Sequence, residues 1–579
     1  MKRLMIGNEA VARGLLEGGL GLVSSYPGTP STEITEFLAK DRSIHSEWAP
    51  NEKVALETAF GACLAGTRAA CAMKHVGLNV AADPLFTLSY TGVNAGLVIC
   101  VADDPAMHSS QNEQDSRHYA EAAKVPMLEP SDSRECHEFA RAAFALSESF
   151  DTPVILRTCT RVAHSQSPVE EGQIARPPKK PYEKNIAKYV MMPGNARARH
   201  PVVEERTKAL AAFAEDCPFN RLEDGRDDSV GIITSGASYL YVKEALGDRY
   251  PVLKIGMAWP LPTRKILSFA ASVKKLAVVE ELDPFLETHC RALGLMPAGK
   301  EIFSMIGEFS QETVARALGL EEKETVAADT PAPARPPQMC AGCPHRGMFY
   351  TLAKNKITVL GDIGCYTLGA QPPLSAVDTT LCMGASVSGI HGFLSADPAA
   401  AGRTVAVIGD STFLHSGVTG LVNAAYNGSP ATVIILDNSI TGMTGHQQNP
   451  ATGFDIHGDP AGKVDLEALC RAVGVGRVRV VDPYDLAACD KAVKEELAAP
   501  EPSVIISRRP CVLLKSVKPL PPLTVDREKC RSCKACLKLG CPALSMKEGK
   551  AAVDETLCVG CGVCEGLCAF GAIGKGGAK

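Results

Sequence analysis

Residues 402–438 read GRTVAVIGD, STFLHSGVTGLVNAAYNGS and PATVIILDN. An apolar, β-branched run, a helical stretch closed by Gly428 and a second apolar run predict strand, helix, strand. Between residues 225 and 322, GIITSGASYLYVKEAL, VLKIGMAWPLP and LAVVEEL repeat that alternation with no obvious catalytic residue. There Glu280 and Glu281 close a strand and read as solvated. Alternating strands and helices of this kind build α/β layers on parallel sheets. At 579 residues the chain is too long for one core, and roughly three to five domains are expected.

Composition narrows the class. Hydrophobic residues make up 45% and charged residues 22%, the usage of an ordinary soluble protein. A net charge of -5 gives no electrostatic case for nucleic acid. No apolar run has the roughly 18 to 20 residues that cross a bilayer, and residues 1–21 lack the features of a signal peptide. A cytoplasmic location is therefore expected. There, 22 cysteines are poor candidates for disulfides, and clustered ones point to metal.

The C-terminal residues carry the clearest clusters, C-R-S-C-K-A-C-L-K-L-G-C-P from Cys530 and C-V-G-C-G-V-C-E-G-L-C from Cys558. In two-cluster ferredoxins the first three cysteines of a run hold one cubane and the fourth crosses to the other. That rule assigns Cys530, Cys533, Cys536 and Cys568 to one [4Fe–4S] cluster, and Cys558, Cys561, Cys564 and Cys541 to the other. Zinc would need four ligands per site, not two runs of three plus one. Four residues separate Cys536 from Cys541, one more than the usual bacterial spacing. Two such clusters pass single electrons, so a donor must lie upstream.

In a parallel α/β unit, strands end at one edge of the sheet, where ligands bind. Asp410 and Asn438 should meet there, offering oxygens suited to Mg²⁺. A strand-end Asp and Asn capping a turn is the plainer alternative. The pair resembles the thiamine diphosphate motif, G-D-G followed by N-N, appearing here as Gly409-Asp410-Ser411 and Asp437-Asn438. That resemblance implies Mg²⁺ held by Asp410, Asn438 and the Ile440 carbonyl, with Gly409 and Ser411 at the diphosphate. Ser411 and Asp437 depart from the consensus.

Upstream, Glu52 opens E-K-V-A-L-E-T-A-F-G-A. It resembles the glutamate by which thiamine enzymes activate the cofactor's aminopyrimidine ring, with a glycine nine positions on, Gly61. Glu57 is the alternative. Y-P-G-T-P-S at Tyr26 to Ser31 resembles the substrate loop of 2-oxoacid:ferredoxin oxidoreductases, in which the threonine, here Thr29, meets the substrate carboxylate. M-C-A-G-C-P-H, G-D-I-G-C and R-R-P-C match the places where that family holds a third, proximal [4Fe–4S] cluster. The match implies Cys340, Cys343, Cys365 and Cys511 as ligands, with Cys382 in reserve. A structural or zinc-binding C-x-x-C is the alternative. His45, His75 and His108 are read as loop residues that face the pocket as acid, base or carboxylate partner, although a lone loop histidine is more often surface. Arg117 is a further candidate for the carboxylate.

Over essentially the whole chain the order resembles the alpha subunit of the arylpyruvate (indolepyruvate) type of thiamine-diphosphate-dependent 2-oxoacid:ferredoxin oxidoreductase. The resemblance implies a pyrimidine-binding domain (1–190), a transketolase-C-like domain (225–322), a linker (323–337), a diphosphate- and Mg²⁺-binding domain (338–515) and a ferredoxin-like domain (520–579). The two thiamine-binding domains would be doubly wound. It also implies coenzyme A and a 2-oxoacid as substrates, ferredoxin as acceptor, a separate beta subunit and an α₂β₂ assembly. A non-redox thiamine decarboxylase and a purely electron-transferring iron–sulfur subunit are the competing readings.

Overall fold

The computed structural model describes residues 2–320, 332–333 and 335–575. It divides into two compact units, Met1–Asp329 and Thr330–Lys579. Most of the expected linker, 323–331 and 334, lies outside the described residues.

The first unit holds two larger sheets and a two-stranded antiparallel ribbon, Lys2–Ile6 with Gln166–Glu170. Seven strands run in the order Met257–Trp259, Met127–Leu128, Val154–Cys159, Leu97–Asp103, Ala69–Lys74, Leu22–Ser25, His45–Trp48. All neighbours are parallel except Met257–Trp259, which is antiparallel to Met127–Leu128. Helices Gly7–Glu17 and Ser133–Phe150 bury Leu15, Phe139 and Phe144 against one face. Helices Glu52–Leu64 and Ala82–Thr91 bury Leu56, Leu85 and Leu88 against the other. The second sheet orders Leu276–Val279, Gly231–Ser235, Val252–Ile255 and Arg221–Glu223.

The apolar run VLKIGMAW serves both larger sheets. It breaks at Gly256, whose N–H and that of Met257 both donate to Asn220 Oδ1 at 2.9 Å. A Cβ at Gly256 would lie 2.4 Å from the Phe219 carbonyl oxygen, so only glycine fits. Glu280 and Glu281 are not solvated either. Glu280 is buried and accepts from the Leu286 and Glu287 N–H groups and from Arg117. Burial pushes Glu281 up to about 7.

The second unit is built on a five-stranded, wholly parallel sheet ordered Thr358–Leu360, Thr404–Gly409, Thr432–Asp437, Ser503–Arg508, Arg477–Val481. Period-two geometry sends Val405, Val407, Ile434 and Leu436 to one face, and Ala406, Ile408, Val433 and Ile435 to the other. Helices cover both faces, which is why these strands read as continuous apolar runs. Gly428 takes a positive φ of 63° just past helix Val418–Tyr426, as a helix stop requires. The chain ends in two antiparallel ribbons, Leu523–Val525 with Ile573–Lys575 and Leu544–Lys547 with Lys550–Val553, which frame a small core rich in cysteine.

Candidate functional site

Strands Thr404–Gly409 and Thr432–Asp437 are parallel neighbours with Gly409 opposite Leu436, so Asp410 and Asn438 emerge together. Both are buried. The Asn438 side-chain oxygen lies 3.2 Å from Asp410 Oδ1 and 2.7 Å from the Ile440 carbonyl oxygen, where a turned-over amide would instead donate to both. Oxygens at neighbouring corners of a Mg²⁺ octahedron are about 2.9 Å apart, given metal–oxygen distances near 2.0–2.1 Å. The three oxygens therefore form a focus of the size and hardness a small divalent cation takes. Burial, and then the Asp437 carboxylate, push Asp410 up to about 8, a cost that a bound cation would remove. Gly409 packs under Tyr366, whose ring a Cβ there would meet at 2.6 Å.

Asn449 completes this edge. Its Nδ2 donates to Asp410 Oδ2 at 3.3 Å, and Ser411 Oγ accepts from Thr441 Oγ1 at 2.9 Å. His345, at the start of helix His345–Lys354, is buried, held down to about 4 by burial, and lies 3.4 Å from the Asn438 amide nitrogen. Sequence reasoning missed both: Asn449 sits in an irregular loop, and His345 was absorbed into a cysteine motif.

Cys340, Cys343, Cys365 and Cys511 come together beside this focus. Burial pushes Cys365 up to about 11, with Cys511 and Cys340 adding to the shift. Burial likewise raises Cys343 to about 12, with Cys340 and Cys365 among the neighbouring charges, and Cys511 is raised by burial and then by Cys340. Cys382 is exposed, and the charge that raises it after burial is that of Asp362. The Cys511 N–H donates to the Asn438 carbonyl at 2.9 Å. A Cβ on Gly442 would meet Cys365 Sγ at 3.5 Å and Asn438 Nδ2 at 3.7 Å. Oxygen focus and thiol nest thus share backbone.

In the C-terminal ribbons one cavity is lined by Cys530, Cys533, Cys536 and Cys568, the first crossed quartet. Backbone N–H groups of Ala572 and Ala551 reach Cys568 Sγ at 3.2 Å and Cys530 Sγ at 3.5 Å; such donors to sulfur tune cluster potentials. The second quartet also meets, because after burial it is Cys561, Cys541 and Cys558 that raise Cys564, to about 12. Thiols that destabilise one another's charge are suited to a polycationic iron core, which takes them as thiolates. All are free cysteines.

The thiol nest touches this module through two contacts. A Cβ on Gly342, between Cys340 and Cys343, would strike Val559, between Cys558 and Cys561, at 2.2 Å. Buried Arg346 donates to the carbonyls of Met339 (2.6 Å) and Cys340 (2.9 Å) on one side, and to those of Leu539 (3.1 Å) and Gly540 (2.6 Å) on the other. Its charge also acts on Cys343 and Cys561.

In the first unit, strand ends gather Thr29, Glu52, Lys74 and His75. Glu52 starts its helix behind the Asn51 cap, which accepts from the Val54 N–H at 2.9 Å. It is buried against Gly77, where a Cβ would come within 2.6 Å of its Oε1. Glu57 is exposed and ion-pairs with Lys53. Gly61 has open space beyond it. Thr29 lies half-buried in its loop, whose Gly28 packs on Lys74. Burial holds Lys74 down to about 8, against the pull of Asp104; nothing in its apolar strand had singled it out.

The expectations for the three histidines and for Arg117 change here. His75 is buried at a helix start, its Nε2 3.2 Å from the Asn112 carbonyl oxygen. His45 opens the strand His45–Trp48, at the opposite edge of the sheet, and ion-pairs with Glu47 at 2.8 Å. His108 is exposed and paired with Glu308 at 2.7 Å; it follows the strand Leu97–Asp103, and the carbonyl of its neighbour Ser109 accepts from Lys74, so of these two it is His45 that lies away from the edge that carries Glu52. Arg117 is spent on Asp115, Glu280 and the Glu281 and Asp283 carbonyls, an anchor between sheets rather than a carboxylate ligand. Asp115, His118 and Asp283 also approach one another, but Arg117 already occupies Asp115.

Comparison with known proteins adds an independent line. Residues 13–214 match the family described as pyruvate flavodoxin/ferredoxin oxidoreductase, thiamine-diphosphate-binding. Residues 362–507 match the C-terminal thiamine-pyrophosphate-binding domain of thiamine pyrophosphate enzymes. Indolepyruvate oxidoreductase subunit IorA of Pyrococcus horikoshii is 40% identical over 99% of this chain and 97% of its own. That of Archaeoglobus fulgidus is 41% identical over 98% and 96%. The 2-oxoglutarate synthase subunit KorA of Methanothermobacter thermautotrophicus is 24% identical over 47% of this chain and 86% of its own. A solved 2-oxoglutarate:ferredoxin oxidoreductase from Magnetococcus marinus superposes with a TM-score of 0.47 at 20% identity, covering 55% of this chain and 65% of that one. The chain belongs to the family of indolepyruvate oxidoreductase IorA subunits, oxidoreductases with thiamine-pyrophosphate-binding domains.

Proposed function

We propose that this chain, with a companion beta subunit, oxidatively decarboxylates an arylpyruvate, indolepyruvate being preferred. The other substrate is coenzyme A, the products are an arylacetyl-CoA and CO₂, and two electrons pass to ferredoxin. The observation that carries this reading is the shared backbone of oxygen focus and thiol nest, joined by the Cys511 N–H to Asn438 carbonyl bond at 2.9 Å. A non-redox decarboxylase needs no thiols there, and an electron-transfer scaffold needs no cation focus.

Asp410, Asn438 and the Ile440 carbonyl would hold Mg²⁺, with Gly409 and Ser411 at the diphosphate. Glu52 would hydrogen-bond the cofactor's aminopyrimidine ring and promote its imino tautomer, and Thr29 would meet the substrate carboxylate. Bound thiamine diphosphate supplies the nucleophilic carbon and takes up the electrons left by CO₂. Cys340, Cys343, Cys365 and Cys511 would hold the proximal [4Fe–4S] cluster, and the two crossed quartets the others. Of the three histidines, His75, buried, and His108, exposed, keep places near the Glu52 edge. An α₂β₂ assembly in the cytoplasm accords with this reading. No described helix is long and apolar enough to cross a membrane.

The test is anaerobic co-purification with the beta subunit, analysis of thiamine and iron, and assay of several 2-oxoacids with coenzyme A and a viologen dye. Bound thiamine, coenzyme-A-dependent dye reduction and preference for indolepyruvate are expected. Equal rates on pyruvate and indolepyruvate would remove the substrate assignment, and iron without thiamine would remove the reaction.

A further inference from the structure

The ferredoxin-like module is electrically lopsided. Its first half, 526–550, carries seven Lys and Arg against three Asp and Glu, whereas 551–575 carries one against three. The whole chain is net negative, at -5, so this excess of positive charge is local.

It also coincides with one quartet. Arg531 and Lys534 line the cavity of Cys530, Cys533, Cys536 and Cys568, and Cys533 is an exposed member of that quartet. In the same half, Arg527 pairs with Glu548 and Lys529 with Asp526. Arg531, Lys534, Lys538 and Lys547 are exposed and have no ion pair among the described residues. Phe570, 48% exposed, lines the same cavity and adds an apolar contact inside the basic surround. The second quartet's run meets the thiol nest instead, its Val559 packed on Gly342.

We infer that electrons leave the protein through the Cys530, Cys533, Cys536, Cys568 centre, across a basic face built to dock a small acidic one-electron carrier protein. The direction follows from contact: the Cys558 loop abuts the Cys340–Cys343 loop, and the Cys530 quartet opens to solvent. The charge follows from steering, because exposed like charges around an exit concentrate carriers of opposite sign and speed encounter. In each transfer the reduced centre loses one electron and the oxidised carrier gains one. Both electrons come from oxidation of the 2-oxoacid, so the inference rests on the function proposed above.

The test uses the anaerobically purified complex with the beta subunit, an acidic two-[4Fe–4S] ferredoxin as probe, and a viologen dye as the acceptor that needs no docking. Wild-type kcat/KM for the ferredoxin should fall steeply between low and high salt, since exposed charges are screened. The double variant Arg531→Glu, Lys534→Glu should lose roughly tenfold or more of that kcat/KM at low salt and flatten the salt dependence. Calorimetric titration of the ferredoxin into the complex should show weakened binding in parallel. Cluster EPR signals equal to wild type separate lost docking from misfolding. Glu555→Lys, in the acidic half, should leave the ferredoxin kinetics unchanged. A double variant with intact clusters and wild-type affinity, rate and salt slope overturns the docking face while leaving the proposed reaction standing. A wild-type complex that reduces neither dye nor ferredoxin overturns the reaction itself.

Discussion

The two cysteine systems of the second unit reach similar four-thiol arrangements by opposite routes. The C-terminal quartets are local: eight cysteines lie between Cys530 and Cys568, and a short turn brings each fourth member across. The nest of Cys340, Cys343, Cys365 and Cys511 is global, with four of the sheet's five strands folding between its third and fourth members. A local site needs little more than its own loops, while a global one exists only when the sheet edge does. The global nest lies against the oxygen focus, where the strand ends already converge, and the local module packs beside the nest.

Removing the oxygen focus tests the contrast most severely. Asp410→Ala should abolish thiamine retention and lower turnover by about 10³-fold or more, in the range lost when a charge-stabilising or positioning group is deleted. The module's EPR signals should persist. Retained thiamine would sink the metal assignment.

Next comes the nest itself. Cys365→Ser should remove about four irons per chain, one cubane, and cut dye reduction by roughly 10²-fold, while Cys382→Ser changes neither. Iron analysis with EPR reads both. Equal loss from both variants would restore Cys382 as a ligand.

Glu281 supplies a third test, in the first unit. Burial raises it from the ordinary 4.5 to about 7, so the folded state binds more protons than the unfolded between those values. Its contribution is therefore complete below about pH 4.5 and is lost as pH rises through 7. Glu281→Gln should match wild type near pH 5 and exceed its stability near pH 8 by about 2–3 kcal/mol. Denaturant titration at the two pH values reads the difference, and an unchanged gap would place Glu281 in solvent after all.

The smallest expected effect is electronic. Arg346 holds carbonyls of both cysteine systems and its charge acts on a thiol of each. Arg346→Met should lower the potentials of the proximal cluster and of the Cys558 cluster by on the order of tens of millivolts, since a nearby positive charge favours the reduced form. Redox titration followed by EPR would show it. A shift confined to one cluster would mean that the bridge is mechanical only.

Local patterns were legible in the chain. The crossed quartets, the strand–helix–strand run with its helix closed at Gly428 and the Asp410–Asn438 pair all depend on neighbours within a few dozen residues. What escaped depended on distant partners. Arg117 looked like a free cation until Glu280 of another sheet met it. His45 looked like a loop residue until pairing with Leu22–Ser25 put it at the wrong end of a strand. Glu280 and Glu281 looked solvated because nothing local announces that a strand end will be covered by helix Phe285–Ala292 and the loop at Phe309.

The break at Gly256 also fixes how the first unit comes apart. One continuous stretch of backbone is stitched into both sheets, so the sheets cannot hinge or slide independently without tearing ladder bonds from one of them. Chemical denaturation of this unit should therefore follow a single sigmoid with coincident spectroscopic probes, and partial proteolysis should not release either sheet intact.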